Sequence, residues 1–373
     1  MFKSPAWHFY GLKPYNMRDI IIIGAGLTGL SLAYELEKKG LDFQVLEARE
    51  RVGGRILTNY ASQGASIELG ATWLGKKHGA LAALLTELGL TTHEQYMGPS
   101  AIYESISTSP PQLAQLPPNP DPSLRISGGS SALIQQLVST FDESRRSLNT
   151  VVEQIHYQEG MVSVQTNQGV FSARTVVSTL PPRLLLEKVM LIPTLPEKVG
   201  KIAADTHTWM GESIKVGLRY AEPFWRKPNS SGTIFSNVGP VTEMYDHSDE
   251  AGNNYALKGF LNSSFHAATS DYRRDLLLKQ LERYYGPRVH DFLDYEECVW
   301  SQEAFTYVPY EAYILPHQNN GHEAFRQAFW EGHFFLAGSE TAAQYPGYMD
   351  GAVRSARWVL SQLDAQVEAG AST

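Results

Sequence analysis

The feature that most constrains this chain is a glycine pattern, G-x-G-x-x-G, at residues 24–29. It follows an apolar, β-branched run at residues 20–23, which is typical of a buried parallel strand. A helix is predicted from about Leu27 to Lys39, because Gly40 makes a natural stop. The three glycines then permit a tight turn, the approach of a pyrophosphate to the backbone, and close packing of helix on sheet. The pattern therefore predicts a dinucleotide site with its phosphates at the helix N-terminus.

An acidic residue stands at the end of the second predicted strand. That strand covers residues 43–46, and Glu47 follows it directly. A carboxylate at this point accepts hydrogen bonds from ribose hydroxyls and repels a 2′-phosphate. The alternative is a glycine-rich turn that joins strand and helix and binds no ligand. Strand, glycines, helix and acid together favour the nucleotide site.

Length, charge and cysteine content narrow the class of protein. The 373 residues are enough for two domains, and a net charge of −8 without a basic block argues against nucleic-acid binding. Cys298 is the only cysteine, which excludes an intramolecular disulfide and a cysteine-cluster metal site. The 11 histidines show no ligand spacing, so no metal is predicted. The apolar run at residues 20–33 is too short to span a bilayer, and residues 1–16 show no periodicity. We expect a soluble, cytoplasmic protein without a membrane partner.

The rest of the chain also has the strand and helix patterns that are typical of an α/β protein. Short alternating runs over residues 151–178 predict an antiparallel meander. Residues 97–124 are rich in proline and lack periodicity, so we predict a loop or a reduced insertion there. The chain closes with an apolar strand at residues 334–337, a glycine-rich turn and a last helix from about Gly351.

Several further motifs combine glycines with charged or aromatic residues. They are a Gly-Gly turn between arginines (residues 51–55), an acid-x-Gly-Ala-x-Trp segment (68–73), Gly-Gly at 128–129, the run 176–182, Ala-Gly-x-Glu (337–340) and Gly-Tyr-Met-acid-Gly-Ala (347–352). With these motifs the chain resembles the flavin-containing amine oxidase family, the monoamine and polyamine oxidases and their bacterial relatives. The resemblance covers roughly residues 18–78, 126–226 and 298–360, with Asp350 where the family usually has Glu.

The resemblance implies an α/β fold in two parts. One is a Rossmann-like FAD-binding domain with a parallel sheet and an antiparallel meander, expected at residues 1–78, 126–205 and 298–373. The other is a smaller α+β substrate-binding domain, expected at residues 79–125 and 206–297. This second domain is small by the standards of the family.

The resemblance also implies which residues bind FAD. Glu340 is expected to bond to the ribityl chain, and the backbone of Met349 and Ala352 is expected near the pyrimidine end of the flavin. The full set is Gly24, Gly26, Leu27, Thr28, Gly29, Glu47, Ala48, Arg49, Gly53, Gly54, Arg55, Gly70, Ala71, Thr72, Trp73, Val152, Trp300, Gly338, Glu340, Met349 and Ala352. In the mitochondrial monoamine oxidases a cysteine binds the flavin covalently. This chain has Pro309 at that place, and Cys298 lies upstream, so non-covalent FAD is expected.

Three residues are candidates for catalysis. From its alternation with apolar neighbours alone, Lys215 is typical of a solvated strand face, whereas the family places this lysine at the flavin N5 through a water. Tyr348 matches one of two aromatic rings that flank the substrate amine, with a core tyrosine as the alternative. Counting from Trp300 gives Tyr310 as the second ring, with Tyr307 as its competitor.

The function that the resemblance implies is oxidation of an amine. FAD takes a hydride from the carbon next to an amine nitrogen, which gives an imine, and O₂ reoxidises the flavin to yield hydrogen peroxide. One alternative is a related FAD-dependent desaturase or protoporphyrinogen-oxidase-like enzyme on a non-amine substrate. Another is a flavin-bound accessory protein with little turnover. The sequence leaves the identity of the amine and the oligomeric state open.

Overall fold

The computed structural model describes residues 17–61, 64–227 and 230–371. Residues 1–16, where the sequence shows no periodicity, lie outside the described residues. The helices are α1 (Leu27–Lys38), α2 (Gly79–Glu87), α3 (Ser130–Val138), α4 (Pro182–Lys188), α5 (Glu197–Ala204), α6 (Ser270–Tyr285) and α7 (Met349–Ala371). The strands are β1 (Arg18–Ile23), β2 (Phe43–Leu46), β3 (Thr58–Asn59), β4 (Ile67–Glu68), β5 (Trp73–Leu74), β6 (Thr92–Glu94), β7 (Ser100–Glu104), β8 (Gln112–Gln115), β9 (Leu124–Ile126), β10 (Arg146–Ser147), β11 (Val152–Gln158), β12 (Met161–Thr166), β13 (Gly169–Ser178), β14 (Met190–Ile192), β15 (Ile214–Tyr220), β16 (Ile234–Ser236), β17 (Val241–Asp246), β18 (Tyr255–Leu261), β19 (Phe292–Val299), β20 (Ala328–Phe329) and β21 (Phe334–Leu336).

The larger sheet begins with the predicted strand, helix and strand. Within the described residues it has nine strands, in the order β10-β2-β1-β13-β12-β11-β14, with β21 added to β13 and β20 to β21. β1 runs parallel to both β2 and β13, and β13 runs parallel to β21. β11, β12 and β13 form the antiparallel meander that the sequence predicts.

Both faces of β1 are covered, which explains its unbroken apolar run. Ile20 and Ile22 belong to the core shared with α1, α3 and α7, whereas Ile21 and Ile23 belong to the core on the other face, with α4 and α5. Strands between two layers need apolar side chains on both sides. This burial holds the carboxyl end of β1 and the start of α1 in place.

The helix α2 packs on the side of the larger sheet. Residues 79–125 are expected in the substrate domain, but Leu81 and Leu84 lie in the same core as α1 and α7. A buried Asp350 carboxylate accepts a hydrogen bond of 2.8 Å from the Leu81 backbone N–H. The start of that segment therefore belongs with α7, and the prediction was wrong there.

The second sheet has seven strands among the described residues, in the order β19-β15-β18-β17-β16-β7-β8. The predicted loop at residues 97–124 was wrong in part, because β7 and β8 form an antiparallel hairpin at this edge. β7 pairs in parallel with the distant β16, a contact that local periodicity does not reveal. All four side chains of β8 are exposed, so its sequence lacks the alternation of a half-buried strand.

The strand β15 is buried along its whole length. The alternation around Lys215 is typical of a solvated face, but that interpretation was wrong. The segment at residues 64–72 covers this face: Arg219 donates to the Ala65 carbonyl, Ile67 packs against Gly217, and Lys215 donates to the Gly70 carbonyl. Polar side chains on a covered face carry defined partners.

None of the helices in the described parts of the chain has the length and apolarity that crossing a membrane requires.

Candidate functional site

A cavity of about 1040 Å³ lies where β1 meets α1 and extends to β15 and β18. Sites for small molecules usually measure roughly 300–1,000 Å³, so this cavity has room for an extended ligand. Its location at the carboxyl ends of parallel strands is the usual one for nucleotides in open α/β sheets.

The turn between β1 and α1 is built for close approach. Gly24 has a φ of +101°, and a Cβ there would lie 2.6 Å from the Thr179 hydroxyl oxygen. A Cβ at Gly29 would lie 2.0 Å from the Gly24 carbonyl oxygen, so this glycine brings the helix onto the turn. The N-cap of α1 is Gly26, which has no side chain to cap the helix. The first N–H groups and the helix dipole therefore remain available to an anion at the cavity.

Glu47 lies in the wall of the cavity, 5% exposed. One carboxylate oxygen accepts from the Ala25 N–H at 2.8 Å and the other from the Arg49 N–H at 3.0 Å. Each oxygen has two lone pairs, so one acceptor position remains on each. The glycine turn and this carboxylate fit a phosphate and the hydroxyls of a ribose.

An ion pair between Arg55 and the buried Glu340 lies at the wall of the cavity. Arg55 lines the cavity and reaches both carboxylate oxygens of Glu340, at 2.5 and 2.8 Å. Glu340 is fully buried and also accepts from the Ser339 hydroxyl and the Trp209 N–H. Burial raises the pKa of Glu340, but the attraction of Arg55 and these hydrogen bonds outweigh it and lower the pKa overall. Arg55 therefore stands between Glu340 and the cavity, and the contact expected from Glu340 to the ribityl chain stays a prediction.

Most of the predicted residues line this one cavity. Those on the lining are Gly24, Gly26, Leu27, Thr28, Glu47, Ala48, Arg49, Gly53, Gly54, Arg55, Gly70, Ala71, Thr72, Trp73, Val152, Lys215, Trp300, Tyr348, Met349 and Ala352. Four lie off the lining: Gly29, Gly338, Glu340 and Tyr310.

Lys215 reaches the cavity from β15. Its amine donates to the Gly70 carbonyl, and its Nζ lies 4.9 Å from the centre of the Phe260 ring. Burial lowers the pKa of Lys215 to about 8, although Glu68 acts in the opposite direction. The amine can therefore hold or release a proton near neutral pH.

Tyr348 faces a tryptophan that the sequence analysis did not select. The ring centres of Trp209 and Tyr348 are 5.9 Å apart, and both residues line the cavity. His317 stacks on Trp209 at 3.7 Å and fixes its orientation. Gly347 makes the approach possible, because it has a φ of +85° and a Cβ there would lie 2.8 Å from the Trp209 ring. We call Trp209 and Tyr348 the aromatic pair.

The two tyrosines considered as the second ring are placed elsewhere. Tyr310 stacks on His207, and its hydroxyl accepts from the Thr208 N–H at 2.8 Å. Tyr307 donates to Glu212 at 3.1 Å. Neither tyrosine lines the cavity. Trp209 lies in a turn before β15. An aromatic residue in such a turn indicates a binding site only weakly, so the sequence did not point to Trp209.

No metal site is found in the parts of the chain that the structure describes, since no three His, Cys, Asp or Glu residues there are grouped to hold an ion.

We expect Gly26→Ala to weaken FAD binding about tenfold or more, because the methyl group enters the space in front of the α1 N-terminus. The matched control is Gly200→Ala, since Gly200 lies in α5 and a Cβ added there would have no neighbouring atom within 4 Å. Titration of the protein with FAD by fluorescence quenching measures both affinities. Equal affinities in the two variants would mean that the glycine turn does not hold the cofactor.

Comparison with known proteins shows similarity along nearly the whole chain. The model of the family described as flavin containing amine oxidoreductase matches residues 27–119 and 107–359. The probable flavin-containing monoamine oxidase A of Dictyostelium discoideum is 24% identical, over 93% of this chain and 98% of that protein. Flavin-containing amine oxidase B of Homo sapiens is 23% identical, over 93% of this chain and 87% of that protein.

Solved structures share the fold. Wild-type putrescine oxidase bound to putrescine superimposes with a TM-score of 0.80 at 23% identity, covering 94% of this chain and 99% of that one. Cyclohexylamine oxidase from Brevibacterium oxydans gives a TM-score of 0.82 at 21% identity, covering 95% and 100%.

Proposed function

The chain belongs to the flavin containing amine oxidoreductase family, and we propose that it is an FAD-dependent oxidase of small amines. The reaction converts the C–N bond of a neutral amine to an imine, which hydrolyses, and transfers two electrons to O₂ to form hydrogen peroxide. One observation carries this proposal: the dinucleotide turn, Lys215 and the aromatic pair all line the same cavity.

FAD is the cofactor, and when bound it supplies the two-electron acceptor for the C–H bond. The start of α1 would bind its pyrophosphate, and Glu47 would accept hydrogen bonds from its ribose hydroxyls. Arg55 faces the same cavity as a fixed cation, because Glu340 holds its guanidinium at two points.

Lys215 acts in the second half of the reaction. Its amine is held against the Gly70 carbonyl beside residues 70–73 of the lining. A protonated amine in this buried position stabilises the negative charge that develops on O₂. Burial makes this interaction stronger than it is in water.

The aromatic pair orients the amine and limits access of water to it. Two rings about 5.9 Å apart leave room for a small group at their edges and restrict its rotation. Tyr348 is 40% exposed, so the pair lies at the open side of the cavity. The solved structures of the same fold are named for their amines, putrescine and cyclohexylamine, which supports an amine as substrate here.

FAD binds without a covalent link in this proposal. The only thiol of the chain, Cys298, is buried on β19 and does not line the cavity. Burial raises the pKa of Cys298 to about 12, so it stays a thiol and is a poor nucleophile.

We expect Trp209→Leu to lower kcat/KM for the amine about tenfold, with FAD still bound, because one wall of the aromatic pair is lost. The matched control is Tyr310→Phe, which removes a hydroxyl outside the cavity and is expected to change kcat/KM less than about twofold. Amine-dependent release of peroxide measures both. Because phenylalanine keeps the ring of Tyr310, an equal loss of activity in Tyr310→Phe and Trp209→Leu would contradict a role specific to the aromatic pair. If the wild-type protein released no peroxide with any amine, the oxidase function would be wrong.

A further inference from the structure

A second lysine lies buried beside Lys215, and the proposed reaction does not use it. Lys258 is fully buried on β18 and does not line the cavity. In the antiparallel pairing of β15 and β18, Lys215 is opposite Phe260 and Gly217 is opposite Lys258. The two lysines are therefore diagonal neighbours on one face of the sheet. We propose that Lys258 is a positioning residue, a neutral amine that accepts a hydrogen bond from Lys215 and keeps the single positive charge of the pair on Lys215.

The two amines contact the same short segment of chain, residues 70–72. Lys215 donates to the Gly70 carbonyl, and Lys258 donates to the Thr72 hydroxyl at 3.0 Å. That hydroxyl donates to the Gly70 carbonyl at 3.2 Å, which connects the two amines through one carbonyl. Each Nζ also lies 4.9 Å from the centre of the Phe260 ring. These contacts hold the amines within reach of each other.

The charges around the pair do not balance two ammonium groups. Glu68 is the carboxylate that acts on both lysines, and it is itself buried among the Thr58 hydroxyl and the Ser130 N–H. Arg125 faces Lys258 with a permanent positive charge, which competes for the same carboxylate. Two adjacent ammonium groups in a buried site repel each other strongly, so one of them loses its proton.

The other groups that face the pair change this balance little. His247 lies 3.2 Å from Arg125, and burial with the surrounding cations lowers its pKa well below the ordinary value, so it is neutral. Cys298 lies opposite Lys215 on β19 as a thiol, because burial raises its pKa to about 12. Glu243 raises the pKa of Lys258, but its effect is smaller than that of Glu68 or Arg125.

The proton belongs on Lys215. Burial lowers the pKa of Lys258 well below its ordinary range, and the charge of Lys215 lowers it further. Burial lowers the pKa of Lys215 only to about 8, because Glu68 and the hydrogen bond to Lys258 oppose this effect. Lys258 therefore favours the charged form of its neighbour. The role of that charge in oxidation rests on the proposed function, whereas the pairing itself does not.

The test is to titrate the lysines in the FAD-loaded protein. Protein labelled with [ε-¹³C]lysine is followed by NMR over a pH range, and loss of a signal in Lys215→Met and in Lys258→Met assigns the two residues. We expect Lys258→Met to lower the titration midpoint of Lys215 by about one pH unit, the size of one lost hydrogen bond to a charged group. Conversely, Lys215→Met is expected to raise the midpoint of Lys258 by at least about one pH unit, because the repulsion disappears. The exposed Lys279 supplies the control, and Lys279→Met is expected to leave both midpoints unchanged.

Two results would overturn the proposal. One is a Lys215 midpoint that stays the same or rises in Lys258→Met, which would mean that Lys258 is absent from the pair or repels as an ammonium. The other is a Lys258 midpoint that does not move in Lys215→Met, a measurement that remains available if Lys258→Met does not fold. The rate of flavin reoxidation by O₂ tests the proposed function separately from the pairing of the two lysines. If the midpoints shift but Lys215→Met reoxidises normally, the amine pair stands and the role of Lys215 in oxidation fails.

Discussion

Replacing Lys215 with methionine is expected to slow the reaction of the reduced protein with O₂ about 100- to 1,000-fold, the usual cost of removing one group that stabilises developing charge. Methionine has a similar length and no charge, and β15 is already apolar on its other face. Anaerobic reduction by the amine is expected to change less than about threefold, because the aromatic pair and the FAD contacts are untouched. Stopped-flow absorbance of the flavin measures the two half-reactions separately.

The control for this variant is Lys279→Met, which removes an exposed lysine from α6. It is expected to leave both half-reactions as they are in the wild type. Reoxidation of Lys215→Met at the wild-type rate would show that the positive charge at this position does not assist O₂. A loss confined to anaerobic reduction would instead move Lys215 to the step in which the amine is oxidised.

Replacing Arg55 with methionine is expected to lower the free energy of unfolding by about 3–5 kcal/mol, because it leaves the carboxylate of Glu340 buried and unpaired. Glu340 is fully buried and Arg55 contacts both of its oxygens. The lowered pKa of Glu340 sets the pH dependence. The stability that the pair supplies is present above the ordinary carboxyl pKa and is lost as the pH falls through the lowered value.

Urea unfolding at saturating FAD measures this effect, and the double variant Arg55→Met with Glu340→Gln is the control. A neutral amide at position 340 accepts from the Trp209 N–H through its oxygen and donates from its NH₂ to the Ser339 hydroxyl, without a buried charge. The double variant is therefore expected to recover about 2 kcal/mol or more relative to Arg55→Met alone. Two results would contradict a stabilising role of the Arg55–Glu340 pair. One is a loss of less than about 1 kcal/mol in the free energy of unfolding of Arg55→Met. The other is a double variant that is no more stable than Arg55→Met.

Local patterns predicted the nucleotide-binding part of the fold. β2 has the predicted bounds, and α1 ends at Lys38, one residue before the predicted last residue, Lys39. This worked because a buried parallel strand, a glycine turn and an amphipathic helix each depend on residues close together in the sequence. β7 was missed because it pairs with β16, more than a hundred residues further along, and the edge strand β8 was missed because its exposed side chains lack the alternation of a half-buried strand.

The candidate site was harder to predict where contacts join distant segments. The solvated-face interpretation of Lys215 failed because residues 64–72 cover β15, which no pattern within the strand indicates. Counting along the chain pointed to Tyr310, but folding brings Trp209 to Tyr348 through the positive φ of Gly347. Lys258 had no motif of its own. Its importance comes from the antiparallel register that sets it beside Lys215.

Anaerobic mixing of the FAD-loaded protein with a panel of amines tests the central claim most directly. The panel includes primary, secondary and diamine compounds, each paired with a matched compound that has a hydroxyl or methyl group in place of the nitrogen. We expect at least one amine to bleach the visible absorbance of the flavin while its nitrogen-free partner leaves it unchanged, and admission of O₂ to restore the colour with release of peroxide. A flavin that stays oxidised with every amine, or is reduced equally by the nitrogen-free partners, would contradict amine oxidation.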